Sequence, residues 1–182
     1  ISGLVEGQRL MYEWRGQPIW IVKRSKAVLD ALPKLDGDLR DPKSENPDQQ
    51  PSYIKGEFRS IKPEISVLVG LCTHLGCSPE MKAEIRPEPF DSEWKGGYFC
   101  PCHKSKFDMA GRVYQGVPAP TNLPVPPHYF ADDNTIIIIF LMTTHRAYTN
   151  GWRCTGHGGN LRQRGMWRWR CWRCWRRRRN SS

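Results

Sequence analysis

The sequence predicts an all-β domain, a small antiparallel sandwich or barrel, and three observations carry that reading. Apolar, β-rich runs are short, as in Pro18-Ile-Trp-Ile-Val22, Ile65-Ser-Val-Leu-Val69 and the run from Ile136 to Phe140. Turn signals separate such runs at Arg15-Gly16-Gln17, Ala110-Gly111 and Asp132-Asp-Asn134. Only one helix is readable, a brief one that Ser25 can cap and Pro33 ends, with Ala27, Val28, Ala31 and Leu32 on one side.

Along the chain, residues 8–14 and 18–22 read as a β-hairpin. Residues 34–52 carry three prolines, several aspartates and hardly any apolar residue, which predicts a surface loop ordered by its neighbours. Residues 65–69 form a buried-type strand that delivers the chain to Cys72, a rigid base for a metal-binding turn. Residues 78–96 are rich in Pro and Glu and predict an exposed excursion with at most one short helix. Tyr98 and Phe99 lead as a strand into Cys100, and residues 107–114 read as strand, turn and strand. Gly116-Val-Pro-Ala-Pro120 cannot be regular structure, because prolines at this density remove amide donors.

The formal net charge of +10 misleads. Residues 146–182 hold eleven arginines and no acidic residue, which leaves 17 basic against 18 acidic residues in the rest. The body is nearly neutral, so no nucleic-acid surface is expected of it. No apolar run reaches the ~20 residues of a spanning helix, and no signal peptide opens the chain.

The chemistry lies in two clusters, Cys72-Thr-His74-Leu-Gly-Cys77 and Cys100-Pro-Cys102-His103-Lys-Ser105. Cys-x-His on one loop and Cys-x-x-His on a second match what a 2Fe–2S cluster needs when two cysteines hold one iron and two histidines the other. The metal ligands are then Cys72, His74, Cys100 and His103. A four-ligand zinc site is the alternative, since Cys₂His₂ also suits zinc. Mixed ligation raises the potential to roughly −150 to +300 mV, against about −400 mV for plant-type all-cysteine clusters. Cys77 and Cys102 are left over, one on each loop, placed to form a disulfide that ties the loops together and implies an oxidising compartment.

These clusters resemble the Rieske iron–sulfur subunit of the cytochrome bc complex (ubiquinol:cytochrome c oxidoreductase) of proteobacterial kind. The likeness extends through Gly96-Gly-Tyr-Phe-Cys100, Phe107-Asp-Met-Ala-Gly-Arg-Val113, Gly116-Val-Pro-Ala-Pro120, Asn122-Leu-Pro-Val-Pro-Pro-His128 and Trp14-Arg-Gly-Gln-Pro-Ile-Trp-Ile-Val22, over about residues 4 to 138. It implies a Rieske domain over residues 1–140, with a cluster-binding subdomain of about 66–120 inserted into a base sheet. It implies electron transfer from ubiquinol to a c-type cytochrome, with cytochrome b as a further partner. The resemblance also implies His103 and His74 as the catalytic pair, with His103 as the ring that hydrogen-bonds quinol. Ser105 matches a serine whose hydroxyl donates to cluster sulfur, and the 116–120 proline loop covers the cluster's third side. The implied location is the bacterial inner membrane, with the domain on the periplasmic side and an N-terminal anchor that this chain, read as a fragment, does not carry. A Rieske subunit of arsenite-oxidase type and an oxygenase ferredoxin are the alternatives. The Cys77 and Cys102 pair counts against the ferredoxin, and the run from Gly116 to His128 against the first.

Several residues invite closer reading. Phe107 occupies a position where high-potential relatives carry a tyrosine, which implies a lower potential. Lys104 departs from the family's glycine or asparagine and is unfavourable if its backbone needs φ > 0. Leu75 is expected at an exposed apolar tip that docks on cytochrome b. His128 reads as a surface or strand-edge histidine, and His145 has no partner. Beyond Phe140 the family pattern stops and a Gly, Trp and Arg-rich tail begins. Cys154, His157, Cys171 and Cys174 in it have zinc-like spacing, and its Arg-Trp interleaving would suit nucleic acid or an anionic membrane. A disordered tail from a frameshift at the gene's 3′ end is the reading preferred for residues 141–182.

Overall fold

A computed structural model describes residue 1 and residues 3–139; the tail readings and His145 lie outside the described residues. Strands β1 (Arg9–Trp14) and β2 (Gln17–Lys23) form a hairpin, closed by Arg15 and Gly16 at φ 54° and 74°. Two consecutive left-handed residues make the turn whose twist suits a hairpin. Strand β3 (Ile65–Val69) joins antiparallel to β2, with Ile19 opposite Val69 and Lys23 opposite Ile65. β3 is therefore the third strand of the base sheet, and the chain runs from it directly into Cys72.

Strands β2 and β3 are buried on both faces, which explains why they read as unbroken apolar runs, whereas the edge strand β1 is largely exposed. One face, through Ile19, Ile21, Ile65, Val67 and Val69, meets Phe130, Ile136 and Ile138 of a second sheet made of β7 (His128–Asp132) and β8 (Thr135–Ile138). The other face, through Trp20, Val22 and Leu68, packs on Tyr98, Phe107, Met109, Cys72 and Cys100. The metal loops thus share a core with the base.

A third sheet, in the order β4 (Glu80–Lys82), β5 (Gly97–Phe99), β6 (Lys106–Asp108), carries the second metal loop. Gly97 permits its closeness, since a Cβ there would lie 2.0 Å from the Phe107 carbonyl oxygen. β4 sits in the 78–96 segment expected to be an excursion. It is three residues long with two charges, and only pairing with β5 defines it. Residues 113 and 114 form isolated bridges to Phe107 and Leu39 rather than a strand.

Helix α1 (Lys26–Ala31) begins at Ser25, whose hydroxyl accepts from the Val28 amide at 3.4 Å. Pro33 does not stop the chain from winding; it opens a 3₁₀ helix, Leu32–Asp38. Leu35 and Leu39 of the expected surface loop are buried with Trp94 and Tyr114, so this segment is a strap over those two aromatic residues. Among the described residues no helix is long and apolar enough to cross a membrane.

Candidate metal centre

Residues 72–77 and 100–105 fold into two turns with the same backbone bonds. Cys72 N donates to Cys77 O at 2.7 Å, and Gly76 N donates to Cys72 O at 2.9 Å. In the second turn Cys100 N donates to Ser105 O and Lys104 N to Cys100 O, both at 2.8 Å. The fifth residue of each is left-handed, Gly76 at φ 81° and Lys104 at φ 61°. Strand β3 leads into the first turn, and β5 and β6 flank the second. A disulfide between Cys77 and Cys102, with Cα atoms 6.7 Å apart, joins them.

Inside this clamp Cys72 and Cys100 are buried free thiols. Burial pushes the Cys72 thiol up and the neighbouring Cys100 adds to this, while hydrogen bonds from the His74 amide and the Ser105 hydroxyl pull the other way. Ser105 is fully buried, and its oxygen accepts from the Ala119 amide at 3.1 Å, which leaves its own proton for sulfur. The rings of His74 and His103 meet edge to face with centroids 4.6 Å apart. His103 is exposed and His74 half-buried. Nδ1 of His74 is buried with no hydrogen-bond partner among the described residues.

Donors therefore come in pairs, sulfur with sulfur and imidazole with imidazole. Four ligands on a single tetrahedral zinc would lie within about 4 Å of each other, given bonds of about 2.0 to 2.3 Å. Among the described residues, only Cys77, Cys100 and Cys102 have three ligand atoms mutually within 4.8 Å. Two of those are spent on the disulfide, so that trio is not a metal site. Paired rather than converging donors, with an orphaned ring nitrogen turned inward, fit a two-iron centre better than one metal ion.

Surrounding residues hold the clamp. Thr73 Oγ1 donates to Thr121 O at 2.7 Å and ties the first turn to the proline-rich segment, while the Ala119 contact ties that segment to the second turn. Thr73 gives no signal in the sequence beyond lying between two ligand-type residues. Leu75 is 71% exposed at the tip. Lys104 is exposed, and Phe107 is fully buried. His128 is not at the surface. It is buried on β7, its Nδ1 2.8 Å from Pro126 O, because the Tyr53 hydroxyl donates to its carbonyl and accepts from its amide, drawing residues 49–59 over it.

A family model described as the Rieske [2Fe-2S] domain matches residues 43–127. The chain is 54% identical over 138 residues to the ubiquinol-cytochrome c reductase iron-sulfur subunit of Allochromatium vinosum, covering 76% of this chain and 66% of that protein. Its Rhodospirillum rubrum counterpart is 40% identical over 140 residues, covering 76% and 67%. The mitochondrial cytochrome b-c1 complex Rieske subunit of Bos taurus is 36% identical over 139 residues, covering 76% and 43%. The chain thus spans about two thirds of the length of these bacterial relatives and under half of the mitochondrial one. With its disulfide-clamped pair of turns and its paired thiol and imidazole donors, this chain belongs to the Rieske 2Fe–2S proteins, in the family of ubiquinol-cytochrome c reductase iron-sulfur subunits.

Proposed function

We propose that Cys72 and Cys100 hold one iron of the cluster and His74 and His103 the other, in a domain that carries electrons from ubiquinol to a c-type cytochrome. The observation that carries this is the pairing of donors inside one disulfide clamp, with His74 Nδ1 buried and without a hydrogen-bond partner among the described residues. When bound, the cluster supplies one-electron oxidation at a moderate to high potential. The side chains do the rest. Bound to iron through Nδ1, His103 would keep Nε2 free to accept a hydrogen bond from the quinol hydroxyl and take up its proton. Ser105 donates its proton to sulfur and favours the reduced form. The buried aliphatic and aromatic shell around Cys72 and Cys100 excludes water from the sulfur side.

Leu75 at the exposed tip suits an apolar docking surface on cytochrome b, and the same edge then meets the cytochrome that receives the electron. A structural disulfide suits the periplasmic side of a bacterial inner membrane. The domain organisation that fits best is one Rieske domain to about residue 140, with its metal-loop segment between β3 and residue 120.

An EPR spectrum of the iron-loaded, reduced chain tests this reading. A Rieske centre gives a lower average g value than an all-thiolate cluster. Bound zinc without iron or sulfide, or the higher average g value, overturns the assignment.

A further inference from the structure

Three arginines lie in the interior: Arg24 is 1% exposed, and Arg59 and Arg112 are 0% exposed. Among the described residues Asp108 is the only fully buried carboxylate to set against them. It is taken by Arg112, which donates from Nε to Asp108 at 2.7 Å and from Nη1 to the half-exposed Asp36 at 2.7 Å. Arg24 and Arg59 make no ion pair among the described residues. Arg24 donates to the carbonyls of Phe58, Pro63 and Met109 and to the Ser60 hydroxyl. Arg59 donates to the Gln50 side chain and to the carbonyls of Ala110, Gln49 and Leu123. Carbonyls solvate a cation without neutralising it. Burial lowers both guanidinium values to about 10, so both stay charged at neutral pH.

Holding unneutralised charge in a protein interior is costly, and neutral donors could hold the same carbonyls. The position of these charges suggests what they do. Met109, Ala110 and Leu123, whose carbonyls they grip, belong to the same core cluster as Cys72 and Cys100. The cations therefore grip the backbone of the same core that encloses the sulfur ligands. Each reduction adds one negative charge to the cluster, and nearby net charge is one of the factors that set an iron–sulfur potential.

We propose that Arg24 and Arg59 are positioning residues for the redox reaction: a buried, net-positive layer that favours the reduced cluster and raises its potential. This rests on the 2Fe–2S reading above and goes beyond it, because the sequence motifs for the cluster include neither residue. At an effective dielectric near 20, any unit charge about 10 Å from a redox centre shifts a one-electron equilibrium on the order of tenfold.

The test is redox titration of the loaded full chain, followed by EPR, at fixed pH and salt. Arg59→Gln, which can still donate a hydrogen bond, lowers the reduction equilibrium constant about tenfold, whereas Arg59→Lys restores it while sharing any loss of thermal stability. Asp36→Asn removes a half-exposed counter-charge and moves the equilibrium the other way by about threefold. Should Arg59→Gln yield no loaded protein, the Asp36→Asn result decides alone. A normal Rieske spectrum with potentials unmoved in Arg59→Gln and Asp36→Asn, or Arg59→Lys shifted as far as Arg59→Gln, overturns the proposal. A missing Rieske spectrum in the unaltered chain overturns the cofactor reading and this inference with it.

Discussion

Replacing Lys104 with glycine should stabilise the domain, and the equivalence of the two ligand turns says by how much. Gly76 and Lys104 occupy the same fifth position, each donating its amide to the carbonyl of the turn's first cysteine, at 2.9 and 2.8 Å. Both are left-handed, at φ 81° and 61°. A residue with a Cβ pays about 1–2 kcal/mol for that conformation. Glycine's greater freedom in the unfolded chain returns about 0.5–1 kcal/mol of that advantage. The net gain for Lys104→Gly is then about 0.5–1 kcal/mol, a rise in Tm of about 2–4 °C for a domain of this size. Gly76→Ala gives the reciprocal: nothing lies within 4 Å of the added Cβ, so the backbone term acts alone and Tm falls by a similar amount. Thermal unfolding followed by circular dichroism, with the disulfide intact and cluster occupancy matched, measures both. A fall in Tm for Lys104→Gly, or no change for Gly76→Ala, would show that these turns are not conformationally equivalent.

Ser105→Ala leaves the Ala119 amide buried without an acceptor, which costs about 1–3 kcal/mol in urea unfolding, and it also lowers the midpoint potential; an unchanged potential would mean the hydroxyl does not reach sulfur. Phe107→Tyr adds a hydroxyl in the core beside Cys72 and Cys100 and should raise the potential, so an equal or lower value contradicts the reading of that position. Opening the Cys77–Cys102 bridge by double serine substitution releases a closure between residues 25 apart, worth about 3.5 kcal/mol in chain entropy. Unfolding midpoints that match those of the bridged protein would refute that estimate. Burial lowers the His128 value below its ordinary 6.5, so the unfolded chain binds a proton more readily than the folded one. Stability therefore holds above about pH 6.5 and declines as pH falls below it. His128→Asn should flatten that decline between about pH 7 and pH 5, and an identical slope would place the titrating group elsewhere.

Legibility in the sequence tracked how local each signal was. The hairpin of β1 and β2 and the strand β3 could be read because a run of consecutive apolar residues and a turn dipeptide are local properties. β4 could not, since the three residues Glu80-Met-Lys82 have low strand propensity and are too few for their polar-apolar-polar pattern to count as a strand signal, and pairing with β5 defines the strand. The strap at residues 34–52 reads as polar, yet two of its few apolar residues, Leu35 and Leu39, meet Trp94 and Tyr114 from distant parts of the chain. His128 looks like a surface residue until Tyr53, 75 residues away, pins its backbone from both sides. At the metal centre the donor types were legible from spacing. The three buried arginines were not: guanidinium is normally a surface group, and nothing local marks one that is solvated by carbonyls of a remote turn.

The two ligand turns share a backbone but not an environment, and that difference bears on which imidazole meets substrate. Thr73, beside His74, is bonded to Thr121, so the first turn is drawn against the proline-rich segment and its histidine is half-buried. The second turn is held from beneath, through Ser105 and Ala119, and its outer residues from Pro101 to Lys104 stay exposed. If both rings hold iron as proposed above, this unequal cover leaves His103 as the more open of the two. Lys104, exposed next to it, adds a cation on that open side. On the function proposed above, the side open to a redox partner is set by which turn the proline segment covers, not by any difference between the histidines themselves.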